Sequence, residues 1–193
     1  MLAGPNGAGK STVLGAAVGA AQLEFYNPDV AAAKVRRQHP EVGQEQANSF
    51  AWQVMRDHLA AAAKDHETYA FETTLGGKTI TSLLSGAVDD GMDVYVWYIG
   101  LDSADHCISR VRARVAAGGH DIPEDRVRER YDSSRANLAR LAPELKLLKV
   151  FDNSEDGEPD PKLLLHAVNG YLVNIRDPVT LPEWVKPIVG SMI

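Results

Sequence analysis

Apolar residues recur along this chain in two rhythms, short solid runs and longer stretches spaced three to four apart. Val94 to Leu101 is the clearest solid run, of the kind buried on both faces in a parallel sheet. Leu147 to Asp152 repeats it, and shorter runs at Leu23 to Tyr26 and Thr68 to Phe71 add two strands, the latter ending at Glu72. Helical spacing fills the intervals. It predicts helices over Lys10–Ala21, over Val42–Asp65 (with Ala47, Phe50, Val54 and Leu59 on one stripe) and over Lys78–Asp89, closed by Gly91. Asp29 is a good N-cap for a helix to about Gln38, where His39-Pro40 breaks it, and Ser103 caps another through Ala117. Further helices are expected over Glu124–Leu141 and Pro161–Ile175, then an extended Pro-rich tail. Strands alternating with helices predict an α/β fold with a doubly wound, mainly parallel sheet. Residues 1–175 read as one domain, with 176–193 as the tail.

The segment Gly4-Pro5-Asn6-Gly7-Ala8-Gly9-Lys10-Ser11, followed by Thr12, fits G-x-x-x-x-G-K-[ST] at every fixed position. The spacing makes a phosphate cradle. Glycines allow dihedrals that turn successive N–H groups inward onto phosphate oxygens, Lys10 adds a point charge, and Ser11 offers a hydroxyl to Mg²⁺. A helix starting near Lys10 points its positive end at the same anion. The chain is therefore expected to bind ATP. Only Met1-Leu2-Ala3 precede the loop, so its strand is expected to be either a stub or to start upstream, and the pairing needs of a central strand favour an upstream start.

In open α/β sheets, ligands sit beyond the carboxyl ends of the strands. That rule selects Asp29, Glu72 with Thr73 and Thr74, Asp102, and Asp152 with Asn153. Asp29 is the candidate base, able to accept a hydroxyl proton or to hold Mg²⁺ through water, with helix capping as its competing role. Glu72, Thr73 and Thr74 offer a carboxylate and two hydroxyls to a substrate, whereas Asp102-Ser103 reads as a helix cap.

Composition narrows the chemistry. The 193 residues carry a net charge of −6, and the single cysteine, Cys107, excludes an internal disulfide framework and suits a reducing cytoplasm. No stretch is long and apolar enough to span a bilayer. Between Arg110 and Arg140, however, eight arginines stand against five acids. Arg110 and Arg114 share one helix face, a Gly118-Gly119 hinge and the loop His120 to Pro123 follow, and Arg126, Arg128 and Arg130 lie on the next helix. Helix, hinge, loop and Arg-rich helix is the pattern of a lid over a transferring phosphate, spanning about 103–141, with surface ion pairs such as Glu124–Arg128 as the plainer reading. Arg110 and Arg114 are the first candidates for function and Arg130 the next, while His120 either touches phosphate or is exposed.

Taken in order, Gly4–Thr12, Asn27-Pro28-Asp29, Phe71-Glu72-Thr73-Thr74, the segment Arg110–Pro123 and Phe151-Asp152-Asn153-Ser154 resemble the zeta-toxin family of P-loop kinases, in its chromosomal branch. The resemblance implies transfer of the ATP γ-phosphate, with Mg²⁺, to the 3′-hydroxyl of the amino sugar in UDP-N-acetylglucosamine. It implies that Asp29 deprotonates that hydroxyl and that Glu72 and the threonine after it hold the substrate. It also implies two lid arginines, one mapping to Arg110. The second position aligns with His120, leaving Arg114 or protonated His120 as substitutes. Asn153 falls among the implied ATP-binding positions. Two other classes compete: a nucleotide-binding module that regulates a partner such as an antitoxin protein without turnover, and a polynucleotide 5′-kinase. Against the latter, only Tyr131 offers an aromatic platform within the arginine block.

Overall fold

A computed structural model of the chain describes residues 1–10, 25–158 and 160–193. The expected helix at Lys10–Ala21, the residues Ser11 and Thr12, and Leu23 and Glu24 of the expected second strand lie outside the described residues, save Lys10 itself. The described chain is an α/β structure built on a six-stranded sheet. Its strands are β1 (Leu2–Ala3), β2 (Glu72–Thr73), β3 (Tyr95–Gly100), β4 (Leu147–Asp152), β5 (Lys162–Val168) and β6 (Tyr171–Ile175), in the order β2-β1-β3-β4-β5-β6. The first four are mutually parallel, and β5 and β6 are antiparallel additions. Tyr26, from the expected second strand, makes a single parallel bridge to Phe71.

The solid apolar run of β3 is buried on both sides, as its pattern predicts. Val96 and Tyr98 face one core, with Met55, Leu59, Ile80, Leu84, Leu138 and Leu141 from the helices above. Ile99 and Leu101 face a second core, built with Cys107, Ile108, Val111, Val127 and Tyr131. The helices are α1 (Pro28–Gln38), α2 (Gln44–Asp65), α3 (Lys78–Asp89), α4 (Ala104–Ala116) and α5 (Glu124–Leu141). Three boundaries fall where the sequence puts them, those of α3, α5 and β4. The cap of α1 lies two residues earlier than expected. Asn27 Oδ1 accepts from both Asp29 N and Val30 N, at 2.9 and 3.2 Å, and Pro28 occupies the first turn, where a missing N–H costs nothing.

Two expectations near the C-terminal end are overturned. Pro161–Ile175 forms the β5–β6 hairpin rather than a helix. Asn169 and Gly170, both at positive φ (51° and 76°), make the turn that Asn-Gly favours between twisted strands. The cluster Leu163-Leu164-Leu165 satisfies helical and strand spacing equally, and pairing with β4 decides between them. The expected extended tail folds inward. A 3₁₀ turn at Glu183–Val185 and helix α6 (Lys186–Gly190) bury Trp184, Val185 and Ile188 in the first core. Trp184 lies over Gly100, where an added Cβ would come within 2.3 Å of the indole. Among the described residues, no helix is long and apolar enough to cross a membrane.

Candidate functional site

The Gly-rich loop after β1 turns through three glycines with positive φ, Gly4 at 146°, Gly7 at 80° and Gly9 at 84°. None of them tolerates a side chain. A Cβ on Gly4 would meet Ile99 O at 2.1 Å and one on Gly7 would meet Cys107 O at 2.6 Å, so the loop is pressed against β3 and α4. Asn153, just after β4, braces the third, its Nδ2 donating to Ala8 O at 2.9 Å. Asn6 is buried, and its Oδ1 accepts from Arg130 Nη1 of α5 at 3.1 Å. The loop is thereby held from both sides in the shape expected for a phosphate cradle.

Lys10 is buried beneath it. Its Nζ donates to Gly4 O at 2.8 Å and Pro5 O at 3.1 Å, and stands 3.8 Å from Glu72 Oε1. Burial holds the Lys10 ammonium below the usual lysine range, opposed by the negative charges of Glu72 and Asp29. A cation desolvated in this way gains when an anion arrives beside it. Glu72 is buried as well, and its Oε2 accepts from Asn27 Nδ2 at 2.8 Å. Asn27 thus caps α1 with its oxygen while its nitrogen orients Glu72, coupling the helix that carries Asp29 to the end of β2. Beyond β2, Leu75 takes a left-handed conformation (φ 54°) although fully buried. Thr73 Oγ1 accepts from Leu75 N at 3.0 Å, and Asn137 Nδ2 donates to Leu75 O at 2.8 Å, which keeps this strained turn in place.

These elements enclose a cavity of about 850 Å³. Asn6, Lys10, Asp29, Glu72, Thr73 and Thr74 line it together with His120, Arg126 and Arg130, and Arg130 reaches Asn6 directly. Of the carboxylates the sequence selects, Asp29 and Glu72 therefore converge with the loop lysine, whereas Asp102, paired with His106, and Asp152, paired with Ser154, do not line the cavity. Arg110 and Arg114 are placed differently. Arg110 Nη2 binds Asp156 Oδ1 at 2.8 Å, holding that carboxyl below its usual range, and His106 approaches the same oxygen at 3.5 Å. Arg114 Nη2 donates to His120 O at 3.2 Å, which ties α4 to the loop of the expected lid. Neither lines the cavity. Arg112 and Arg128 are surface residues paired with Glu124 and Asp105, so the suggested Glu124–Arg128 pair is replaced by two bridges between α4 and its successor. Among the described residues there is no cluster of three or more His, Cys, Asp or Glu groups placed to hold a metal.

Two cavity features escape sequence reasoning. Arg126, from the Arg-rich helix of the expected lid, lines the cavity, and so does a stripe of α2 comprising Gln44, Glu45, Asn48, Ser49 and Trp52. The signal was available: polar residues at i, i+4 repeated twice and ended by a tryptophan on the same face.

Cys107 lies directly under the Gly7 turn and is fully buried. Burial pushes its thiol from the ordinary 9.0 up to about 12. The neutral thiol is favoured in the folded protein, so its contribution to stability is complete below about pH 9 and is lost as pH rises towards 12. At pH 8 a thiol reagent should label the native protein far more slowly than the urea-unfolded chain. Equal rates in the two states would mean that the loop does not cover the sulfur.

A profile of the AAA domain family matches residues 1–141, which contain the glycine loop, both carboxylates and the arginine-bearing helices. The chain belongs to this AAA domain family. An uncharacterized protein of Haemophilus influenzae is 34% identical over 128 residues, covering 66% of this chain and 88% of that relative. Among solved structures, the AvrRxo1-ORF1:AvrRxo1-ORF2 complex, determined with ATP, superposes with a TM-score of 0.65 at 18% identity, over 91% of this chain and 59% of that one. This chain therefore spans about three fifths of that protein. The PezAT chromosomal toxin-antitoxin system of Streptococcus pneumoniae gives a TM-score of 0.53 at 12% identity, over 83% and 68% of the two chains. At such identities the likeness concerns the fold, which this family member shares with both.

Proposed function

We propose that the protein is an ATP-dependent phosphotransferase acting on a hydroxyl of a small acceptor. The observation that carries this reading is the convergence of Lys10, Asp29 and Glu72 on one cavity faced by Arg126 and Arg130. A site for hydrolysis alone needs a cradle and a water. This one has, beyond the cradle, a carboxylate-lined chamber large enough for a second substrate. The acceptor oxygen attacks the γ-phosphorus, its proton passes to the Asp29 carboxylate, and the bond to the β–γ bridging oxygen breaks, leaving ADP. Lys10 leaves the carbonyls of Gly4 and Pro5 to meet the β- and γ-phosphates, while Arg126, Arg130 and His120, which line the same cavity, neutralise charge. Asn27 holds Glu72 against the acceptor, with Thr73 and Thr74 beside it.

Mg²⁺ fits the donor set, since the phosphate end carries oxygen ligands and two carboxylates. Ser11, together with Asp29 through water, would hold it, and it would neutralise phosphate charge. Arg110 and Arg114 remain candidates for the lid: closing α4 and its loop over ATP would exchange Asp156 and the His120 carbonyl for phosphate oxygens. The resemblance to zeta toxins supports an amino sugar carried on a uridine diphosphate as the leading acceptor. A protein partner covering the cavity, in the manner of an antitoxin, is supported by the toxin-antitoxin character of the PezAT neighbour.

Incubation with γ-labelled ATP, Mg²⁺ and a panel of nucleotide sugars tests the reading. Label should move to one acceptor, and Lys10→Ala should reduce the rate roughly 10²–10³-fold, the scale of losing one charge-stabilising donor. Steady release of inorganic phosphate with no labelled acceptor in the panel or in a metabolite extract would replace the kinase reading with hydrolysis.

A further inference from the structure

The α2 wall of the cavity has a composition that phosphoryl transfer does not require. Gln44, Asn48 and Trp52 sit at i, i+4 and i+8, so they stack along one face, each side chain leaning over the preceding turn. The stripe is about 12 Å long at the helical rise of ~1.5 Å per residue, further than a single sugar ring reaches. Trp52 is 37% exposed, although the buried positions Ala51 and Met55 lie on the same helix. An indole left open towards a cavity is a platform rather than core packing. Arg56, one turn on, places its guanidinium carbon 5.6 Å from the centre of the ring and so fixes the platform from one side.

The amides beside it are oriented. Arg36 Nη1 donates to Gln44 Oε1 at 2.7 Å, and Gln44 Nε2 donates to Asn48 Oδ1 at 2.8 Å. This relay starts at a cation that only donates, so each amide oxygen is engaged and Asn48 is left presenting its Nδ2 hydrogens. A flat indole next to a fixed donor is suited to a planar ring that carries an acceptor on its edge.

We infer that α2 is the acceptor-specificity wall, with Trp52 stacking on a heteroaromatic ring of the acceptor and Asn48 donating to a carbonyl or ring nitrogen on that ring. The inference rests on the kinase reading for the word acceptor, but its binding chemistry is separate. The phosphorylated hydroxyl lies at Asp29 and the ring at Trp52, so the acceptor has two parts joined across the cavity.

Tryptophan fluorescence tests this with a non-hydrolysable ATP analogue saturating the loop. Uridine, cytidine, adenosine and guanosine monophosphates are titrated in turn, with glucosamine as the control that lacks an aromatic ring. At least one monophosphate should quench the emission of Trp52, and Trp52→Leu should weaken its binding, measured by calorimetry, by roughly 5- to 100-fold, as loss of one stacking contact does. Asn48→Leu should weaken it by a smaller factor, while both variants bind the ATP analogue normally. Quenching by glucosamine alone, or unchanged binding of every monophosphate in Trp52→Leu, overturns the inference. The two readings fail separately. Transfer with an unaltered acceptor KM in Trp52→Leu removes this inference and leaves the kinase, whereas Trp52-dependent quenching without any transfer removes the kinase and leaves the ring site.

Discussion

Asp29→Asn is expected to slow phosphoryl transfer by roughly 10²–10⁴-fold, the range for loss of a positioned general base. The substitution is nearly isosteric and sits at an exposed position in the first turn of α1, whose cap belongs to Asn27. The fold should therefore hold, with a stability change no larger than about 1 kcal/mol from the lost charge near the helix N-terminus. Lys10 should feel the change, since the Asp29 charge helps to hold its proton. The affinity for ATP itself should fall little, because the cradle is made by Gly4 to Lys10. Single-turnover transfer from labelled ATP, compared with ATP binding by calorimetry, separates the two. Transfer at the wild-type rate in Asp29→Asn would show that another group takes the proton, with Glu72 the nearest alternative.

Trp184→Ala should carry the largest cost in stability, about 3–5 kcal/mol. The indole is 3% exposed, contacts Gly100 at the end of β3, and lies 6.3 Å from the Tyr98 ring, centre to centre. Removing it opens a hole over the central parallel strands, and the glycine beneath cannot fill it. Against a typical total stability of ~5–15 kcal/mol, the loss is a large fraction. Trp184→Phe should cost much less, since it keeps most of the ring and removes an indole N–H that finds no partner among the described residues. Urea midpoints of the three proteins check this. A shift in Trp184→Ala equivalent to less than about 1 kcal/mol would mean that the C-terminal segment does not belong to the core.

The site was partly legible because its first components are local. A glycine loop of fixed spacing needs no distant residue to reveal its backbone, and Gly4, Gly7 and Gly9 adopt positive φ as that spacing demands. Asp29 and Glu72 could be selected because they follow apolar runs, and parallel strands deliver their carboxyl ends to one edge. The arginines were harder. Eight lie in one block, and which of them reach the cavity depends on competitors far away in sequence. Asp156, 46 residues on, takes Arg110, whereas Asn6, 124 residues back, draws Arg130 over the loop. The α2 wall was hidden for a related reason: polar residues at helical spacing look like a solvated face, and Glu45, Ser49 and Trp52 do stay exposed while lining the cavity.

The C-terminal hairpin and tail show the same division. Asn169-Gly170 carried a local turn signal, yet the apolar run before it suits either rhythm, and only the exposed edge of β4 settles it as a strand. Pro178 and Pro182 lie outside helices and strands and Pro187 in the first turn of α6, but they left undecided that Trp184 and Ile188 would pack in the first core. The sequence by itself determined the α/β class, the backbone of the glycine loop and the placing of Asp29 and Glu72 beside it, because dihedral preference and hydrophobic period act between near neighbours. The tertiary structure decided which arginines line the cavity, that α2 lines it too and where the C-terminal segment goes. Those outcomes depend on which distant group offers the better partner, and that competition is resolved only when the chain is packed.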